Sequence, residues 1–222
     1  MASTRREPGL IEAIGQRIAG SALSCLLRVW HRLQIEGREH LPATPPFILV
    51  ANHTSHLDAL ALTTALPWRV RQSTYLLAAS DVFFETPTRS LLASVLLNAL
   101  PMRRQRQVRH AIEDLRTRLV EDAFGLVMFP EGTRSATGAM QAFKPGLGML
   151  VAGTAVPVVP CHLEGAFAAW PRQARLPRPR PVVLRIGAPL RFDNASDDRD
   201  GWATVVRTAE AAVLGLTARS RS

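Results

Sequence analysis

Apolar residues recur at steps of three or four along the first part of the chain, at Leu10, Ile14, Ile18, Ala22, Cys25, Leu26, Val29 and Leu33, with Arg17, Arg28 and Arg32 beside them. That spacing predicts an amphipathic helix, which packs either on the protein's own core or on a lipid surface. Trp30 suits an interfacial depth. Further on the pattern changes to short continuous apolar runs bounded by Pro and Gly. Phe47 to Val50, Gly125 to Phe129, Val156 to Pro160 and Val182 to Ile186 predict buried strands. Helical patterns lie between them: Leu57 to Leu66, stopped by Pro67; Leu91 to Leu100; Val108 to Val120, with Ile112, Leu115 and Leu119 inward; and Trp202 to Leu216. Strands alternating with helices predict the α/β class, a single-domain sandwich with a largely parallel or mixed central sheet flanked by helices. This domain is expected over residues 35–222, behind an amphipathic helical segment over 1–34 that meets either that domain's core or a membrane. Pro171 to Pro181 holds four arginines and four prolines and predicts an extended surface loop.

With 222 residues, 47% of them hydrophobic, the chain can bury one substantial core. No stretch reaches the roughly 20 uncharged apolar residues that span a bilayer, so it is expected to lie on a membrane and not cross it. Ile18 to Leu27 has the length of a secretory apolar region, but Arg28, Trp30, His31 and Arg32 follow it in place of a small-residue cleavage site. The net charge is +9, and Lys144 is the only lysine among 27 basic residues. Arginine forks match phosphate oxygens. Nucleic acid is not the expected partner: the basic run Arg103 to Arg109 contains no aromatic, and Tyr75 is the only tyrosine, so stacking platforms are missing. An anionic membrane surface fits better, at about 1 kcal/mol per nearby basic residue. Cys25 and Cys161 are too few for a disulfide framework and are expected to be buried thiols.

Two segments carry chemistry: Asn52-His53-Thr54-Ser55-His56-Leu57-Asp58 and Phe129-Pro130-Glu131-Gly132-Thr133-Arg134-Ser135. Five positions on a straight helix rotate by about 500 degrees, which would separate His53 from Asp58. The pair therefore works only if His53 sits on the turn after a strand and Asp58 lies in the first helical turn, reaching back. Asp58 would then fix the imidazole tautomer while the other ring nitrogen takes a proton. Ser55-x-x-Asp58 also reads as a capping box, a role that can coexist with the first. His53, His56 and Asp58 could be read as metal ligands, but His31, His40, His110 and His162 are scattered, and no metal is expected. A Gly-x-Ser-x-Gly elbow is missing, which favours direct transfer over an acyl-serine. In the second segment Pro130 ends a strand, Gly132 lets backbone amides approach an anion, and Arg134 offers a fork to phosphate. Lys144, followed by Pro145 at the first position of a helix, is a further phosphate ligand beside a helix N-terminus.

The two segments, in this order, resemble the glycerolipid acyltransferase family typified by 1-acyl-glycerol-3-phosphate acyltransferase, whose hallmarks are His-x4-Asp and Phe-Pro-Glu-Gly-Thr-Arg. The family's second block falls at Asn98 to Arg104, with Asn98 at its usual glycine and Arg103 at its usual acid, so that either Arg103 or Arg104 faces the substrate. Its Val-Pro block falls at Val156 to Pro160. The resemblance implies O-acyl transfer from an acyl thioester, acyl-CoA or acyl carrier protein, to the free hydroxyl of lysophosphatidic acid, giving phosphatidic acid in phospholipid biosynthesis. It implies His53 as general base with Asp58 behind it. Arg104, Glu131, Gly132, Thr133, Arg134 and Lys144 would bind the glycerol phosphate, Glu131 by orienting Arg134 or by holding the glycerol itself. It further implies no bound cofactor and a peripheral place on the cytoplasmic face of the cell membrane. Two alternatives stand beside it: the same chemistry on another lyso-lipid or lipid-linked acceptor, and a basic membrane-binding protein without turnover.

Overall fold

The run Phe47-Ile48-Leu49-Val50-Ala51 is buried at every position because it forms the central strand of a sheet covered on both faces. The computed structural model describes residues 10–79, 99–102 and 108–218. Its elements, in chain order, are α1 (Leu10–Trp30), β1 (Gln34–Glu36), β2 (Phe47–Ala51), α2 (Leu57–Ala65), α3 (Trp68–Gln72), β3 (Thr74–Ala79), β4 (Ala99–Met102), α4 (Val108–Glu121), β5 (Gly125–Met128), α5 (Gly146–Val151), β6 (Val158–Glu164), α6 (Ala166–Ala169), β7 (Val183–Ile186) and α7 (Arg199–Ala218). The strands make one seven-stranded sheet in the order β1-β7-β6-β2-β5-β3-β4. Among the described strands β6 and β7 alone pair antiparallel; the other neighbours are parallel. The α/β sandwich with a mixed, mostly parallel sheet is the expected architecture.

Alternation along β2 divides the core in two. Phe47, Leu49 and Ala51 join Leu62, Val159, Cys161 and Leu163 under α1 and α2. Ile48 and Val50 join Leu119, Leu126, Leu147, Leu150 and Val205 under α4, α5 and α7. On that second face α5 and α7 nearly touch: a Cβ added to Gly148 would fall 2.5 Å from the Trp202 Cα, so only glycine fits. On the first face the Arg71 guanidinium donates to the carbonyls of Thr64 and Leu66, closing the C-terminal end of α2. Gly20 of α1 lies directly over that guanidinium.

Several expectations need correction. Residues 91–98 of the expected helix Leu91 to Leu100 lie outside the described residues, and Ala99 and Leu100 open β4, paired with Leu76 and Leu77 of β3. A short apolar run carries no period that separates a helix from a buried strand, and Pro101 is tolerated because β4 is an edge strand. β1 and β3 carried no sequence expectation. The strand expected at Val156 to Pro160 starts two residues later and runs to Glu164, and α5 begins at Gly146 with Pro145 as its cap. Cys25 is exposed; Cys161 is buried as expected. Among the described side chains of α1, Leu23 and Leu27 enter the core. Most of the apolar stripe faces outward, with Ile18 65%, Leu26 56% and Val29 73% exposed, joined by Trp30 at 47%.

Candidate active site

Parallel strands deliver their following loops to one edge of the sheet, where α/β proteins bind ligands. β2 and β5 are adjacent and in register, Val50 opposite Met128, so the loops carrying His53 and Glu131 emerge side by side. Those loops are joined through the His53 peptide unit. Its N–H donates to Glu131 Oε1 at 2.7 Å, and its carbonyl accepts from the Ser135 N–H at 2.8 Å. The imidazole lies flat on Phe129, with ring centroids 4.0 Å apart and 12° between planes. On the other side Asn52 bonds both main-chain groups of Leu163 in β6, at 3.0 and 2.8 Å.

Asp58, fully buried in the first turn of α2, brings Oδ2 to 2.9 Å from His53 Nδ1. The same oxygen accepts the Thr54 and Ser55 N–H groups at 2.7 and 2.8 Å. Ser55 Oγ accepts from the Leu57 N–H at 3.1 Å, so the expected capping box forms in one half only, Asp58 reaching back to the Ser55 N–H while the helix cap falls at His56. One carboxylate oxygen thus starts the helix and orients the ring. His53 Nδ1 is committed to this bond, and among the described residues nothing bonds Nε2. That leaves Nε2 as the nitrogen able to take a proton.

Ser55, Ser135 and Cys161 near His53 are engaged or buried. Ser55 Oγ also donates to the Trp170 carbonyl at 2.7 Å. Ser135 Oγ accepts from the Gly138 N–H at 3.0 Å and is 1% exposed. Cys161 is fully buried, and burial pushes its thiol well above the usual range. None is placed as a nucleophile for His53.

The expected anion-binding residues fall into three groups. Gly132 adopts φ +73, the left-handed region open to glycine, and the Lys144 side chain folds over it so closely that a Cβ would lie 2.6 Å from Nζ. Thr133 is exposed on the same turn. Arg134 turns to His56, with Nη1 2.6 Å from Nδ1. Arg103 and Arg104 lie outside the described residues.

Glu131 departs from both of its expected roles. It is 2% exposed, and its carboxylate receives the His53 and Gln141 main-chain N–H groups, so it ties loops together. Burial raises its carboxyl to about 7, against those two bonds, which favour the charged form. His56 does not converge with His53 and Asp58 as a metal ligand would. It lies between Arg134 and the Trp170 ring, 4.9 Å away, and burial followed by the Arg134 charge lowers it to about 4. Sequence reasoning gave no role to Asn52, Trp170 or Gln141; Asn52 meets the Leu163 main chain, Trp170 the His56 ring and Gln141 the Glu131 carboxylate, and no motif spacing signals these contacts.

An acyltransferase family model matches residues 32–164. The 1-acyl-sn-glycerol-3-phosphate acyltransferase of Cocos nucifera is 25% identical over 75% of this chain and 52% of its own length. That of Limnanthes alba is 28% identical over 85% of this chain and 68% of its own. The human alpha enzyme is 28% identical over 68% and 56%. The chain therefore spans little more than half the length of the coconut and human relatives. In fold it is similar to the crystal structure of the 1-acyl-sn-glycerophosphate (LPA) acyltransferase PlsC from Thermotoga maritima, with a TM-score of 0.68 and 24% identity over 94% of this chain and 83% of that one. With the family model covering more than half of its length, the chain belongs to the acyltransferase family.

Proposed function

We propose that the protein transfers a fatty acyl group from an acyl thioester to the free hydroxyl of a phosphorylated lyso-glycerolipid, 1-acyl-glycerol 3-phosphate, giving phosphatidic acid. The observation that carries this reading is the His53–Asp58 pair, with Nδ1 bonded and Nε2 open, in a loop fastened to the turn that bears Arg134. His53 Nε2 takes the acceptor hydroxyl proton as the oxygen attacks the thioester carbonyl. Asp58 holds the tautomer and stabilises the imidazolium. The tetrahedral intermediate then collapses, the C–S bond breaks, and the imidazolium returns the proton to the leaving thiolate. Arg134 and Lys144 hold the acceptor phosphate, joined by Arg104 from the second block. Glu131 supports the base through its backbone. The donor is an acyl-CoA or an acyl carrier protein thioester, and no bound cofactor takes part.

The same reading places the protein on the cytoplasmic face of a membrane, with the exposed stripe of α1 and its arginines against lipid. No described helix is long and apolar enough to cross a bilayer. The test is thiol release from a long-chain acyl-CoA, with and without lysophosphatidic acid, by native protein and by a folded His53→Ala variant. Acceptor-dependent release by the native protein and its loss in the variant are expected. Release that persists in the variant would remove His53 as the base. Silence with every lyso-acceptor and with carrier-protein donors would leave a binding protein.

A further inference from the structure

The sequence blocks supply Arg134 to the anion side of the site, and the chain after β6 brings the segment that carries Arg172 beside it. This segment is fastened to the His53 loop at three points: an antiparallel bridge between Ser55 and Pro171, the 2.7 Å bond from Ser55 Oγ to the Trp170 carbonyl, and the contact of the Trp170 and His56 rings. It also packs on the arginine-bearing loop, since a Cβ on Gly138 would fall 2.8 Å from the Phe167 ring. Residue 172, next after the bridge, is thereby set beside His56, whose ring meets the Arg172 main chain as well as Arg134 Nη1. Arg134 is held below its ordinary value by burial and then by the Arg172 charge, against the Asp58 charge, which raises it.

Among the described residues neither guanidinium forms an ion pair. The nearby buried acid, Asp58, already serves His53, Thr54 and Ser55. Two like charges on segments that meet are unfavourable until an anion joins them. A phosphate monoester carries about −1.5 to −2 charge and three terminal oxygens, enough to engage both forks. A phosphodiester offers one charge and two free oxygens.

Resting on the acyltransferase reading above, we propose that Arg172 and Arg134, carried on segments that meet at His56, form a two-guanidinium clamp that selects an acceptor bearing a phosphate monoester over one bearing a phosphodiester headgroup. Arg172 is exposed, so its replacement leaves the core intact.

The experiment compares native protein, Arg172→Ala and Arg172→Lys with 1-acyl-glycerol 3-phosphate and with lysophosphatidylglycerol. Each acceptor is run with acyl-CoA and with an acyl-N-acetylcysteamine thioester, a donor without phosphate, and binding of 1-acyl-glycerol 3-phosphate is read separately from tryptophan emission, Trp170 lying at the site. Arg172→Ala is expected to raise KM and Kd for the monoester about 10- to 100-fold with little change in kcat. KM for the diester and for both donors should not move, and Arg172→Lys should recover part of the loss. An unchanged monoester KM and Kd in Arg172→Ala overturns the clamp. A rise confined to acyl-CoA overturns its assignment to the acceptor and gives it to the donor's phosphates. Binding without turnover in the native protein defeats the acyltransferase reading while Kd still decides the clamp, and absence of binding in the native protein overturns the clamp outright.

Discussion

Asp58 does three things through one oxygen. A substitution that keeps its shape should therefore separate chemistry from folding. Asp58→Asn retains a carbonyl for the Thr54 and Ser55 N–H groups but loses the charge behind the His53 ring. Turnover is expected to fall roughly 10²- to 10⁴-fold, with a stability loss of about 1–3 kcal/mol. Steady-state kinetics beside urea unfolding check both, and a variant with near-native kcat would deny Asp58 its part in the reaction.

His56 and Glu131 give opposite pH signatures. His56 falls from 6.5 to about 4 in the fold, by burial and then by Arg134. Between those values the unfolded chain binds the extra proton, so this contribution is lost as pH drops from 6.5 toward 4. Glu131 rises from 4.5 to about 7, mainly by burial. There the folded chain holds the extra proton, and its contribution diminishes as pH climbs from 4.5 to 7. The two partly cancel in the native protein. His56→Gln removes the first, so the variant should gain in melting temperature relative to native protein as pH falls from 6.5 to 4. A difference that stays constant across that range would show that His56 titrates normally in the fold.

At the scale of elements, α1 joins two environments. Leu23 and Leu27 bind it to the core, while Ile18, Leu26, Val29 and Trp30 stay outside. The helical period was visible in sequence, but the direction of its apolar face was not. Periodicity defines a stripe and says nothing about which surface meets it, and the face that docks is set by Gly20 over Arg71 and by Leu27 against the sheet layer. Ile18→Asp combined with Val29→Asp is expected to weaken binding to anionic vesicles at least about tenfold. Melting temperature and turnover of a short-chain soluble acceptor should hold. Vesicle binding equal to that of the native protein would remove α1 from the membrane contact. Among the strands, β2 and β5 were legible as uniform apolar runs because both faces are covered. β1, only three residues long, and β4, overlapped by an apolar helical pattern, were not.

For the whole molecule, sequence alone determined the α/β class, the central strands and the local geometry of His53 and Asp58, because apolar period and local spacing are properties of contiguous residues. The requirement that His53 stand on a turn with Asp58 in the following helical turn came from the helix repeat alone, and the fold has that geometry. Tertiary structure decided the rest. Glu131 is a brace on the His53 peptide because β2 and β5 are neighbours in register, a relation between residues 78 positions apart. His56 lies between Arg134 and Trp170, and Arg172 stands beside it, because the chain after β6 folds back to Ser55. Contacts of this kind depend on strand order and loop return, and neither hydrophobic period nor motif spacing encodes them.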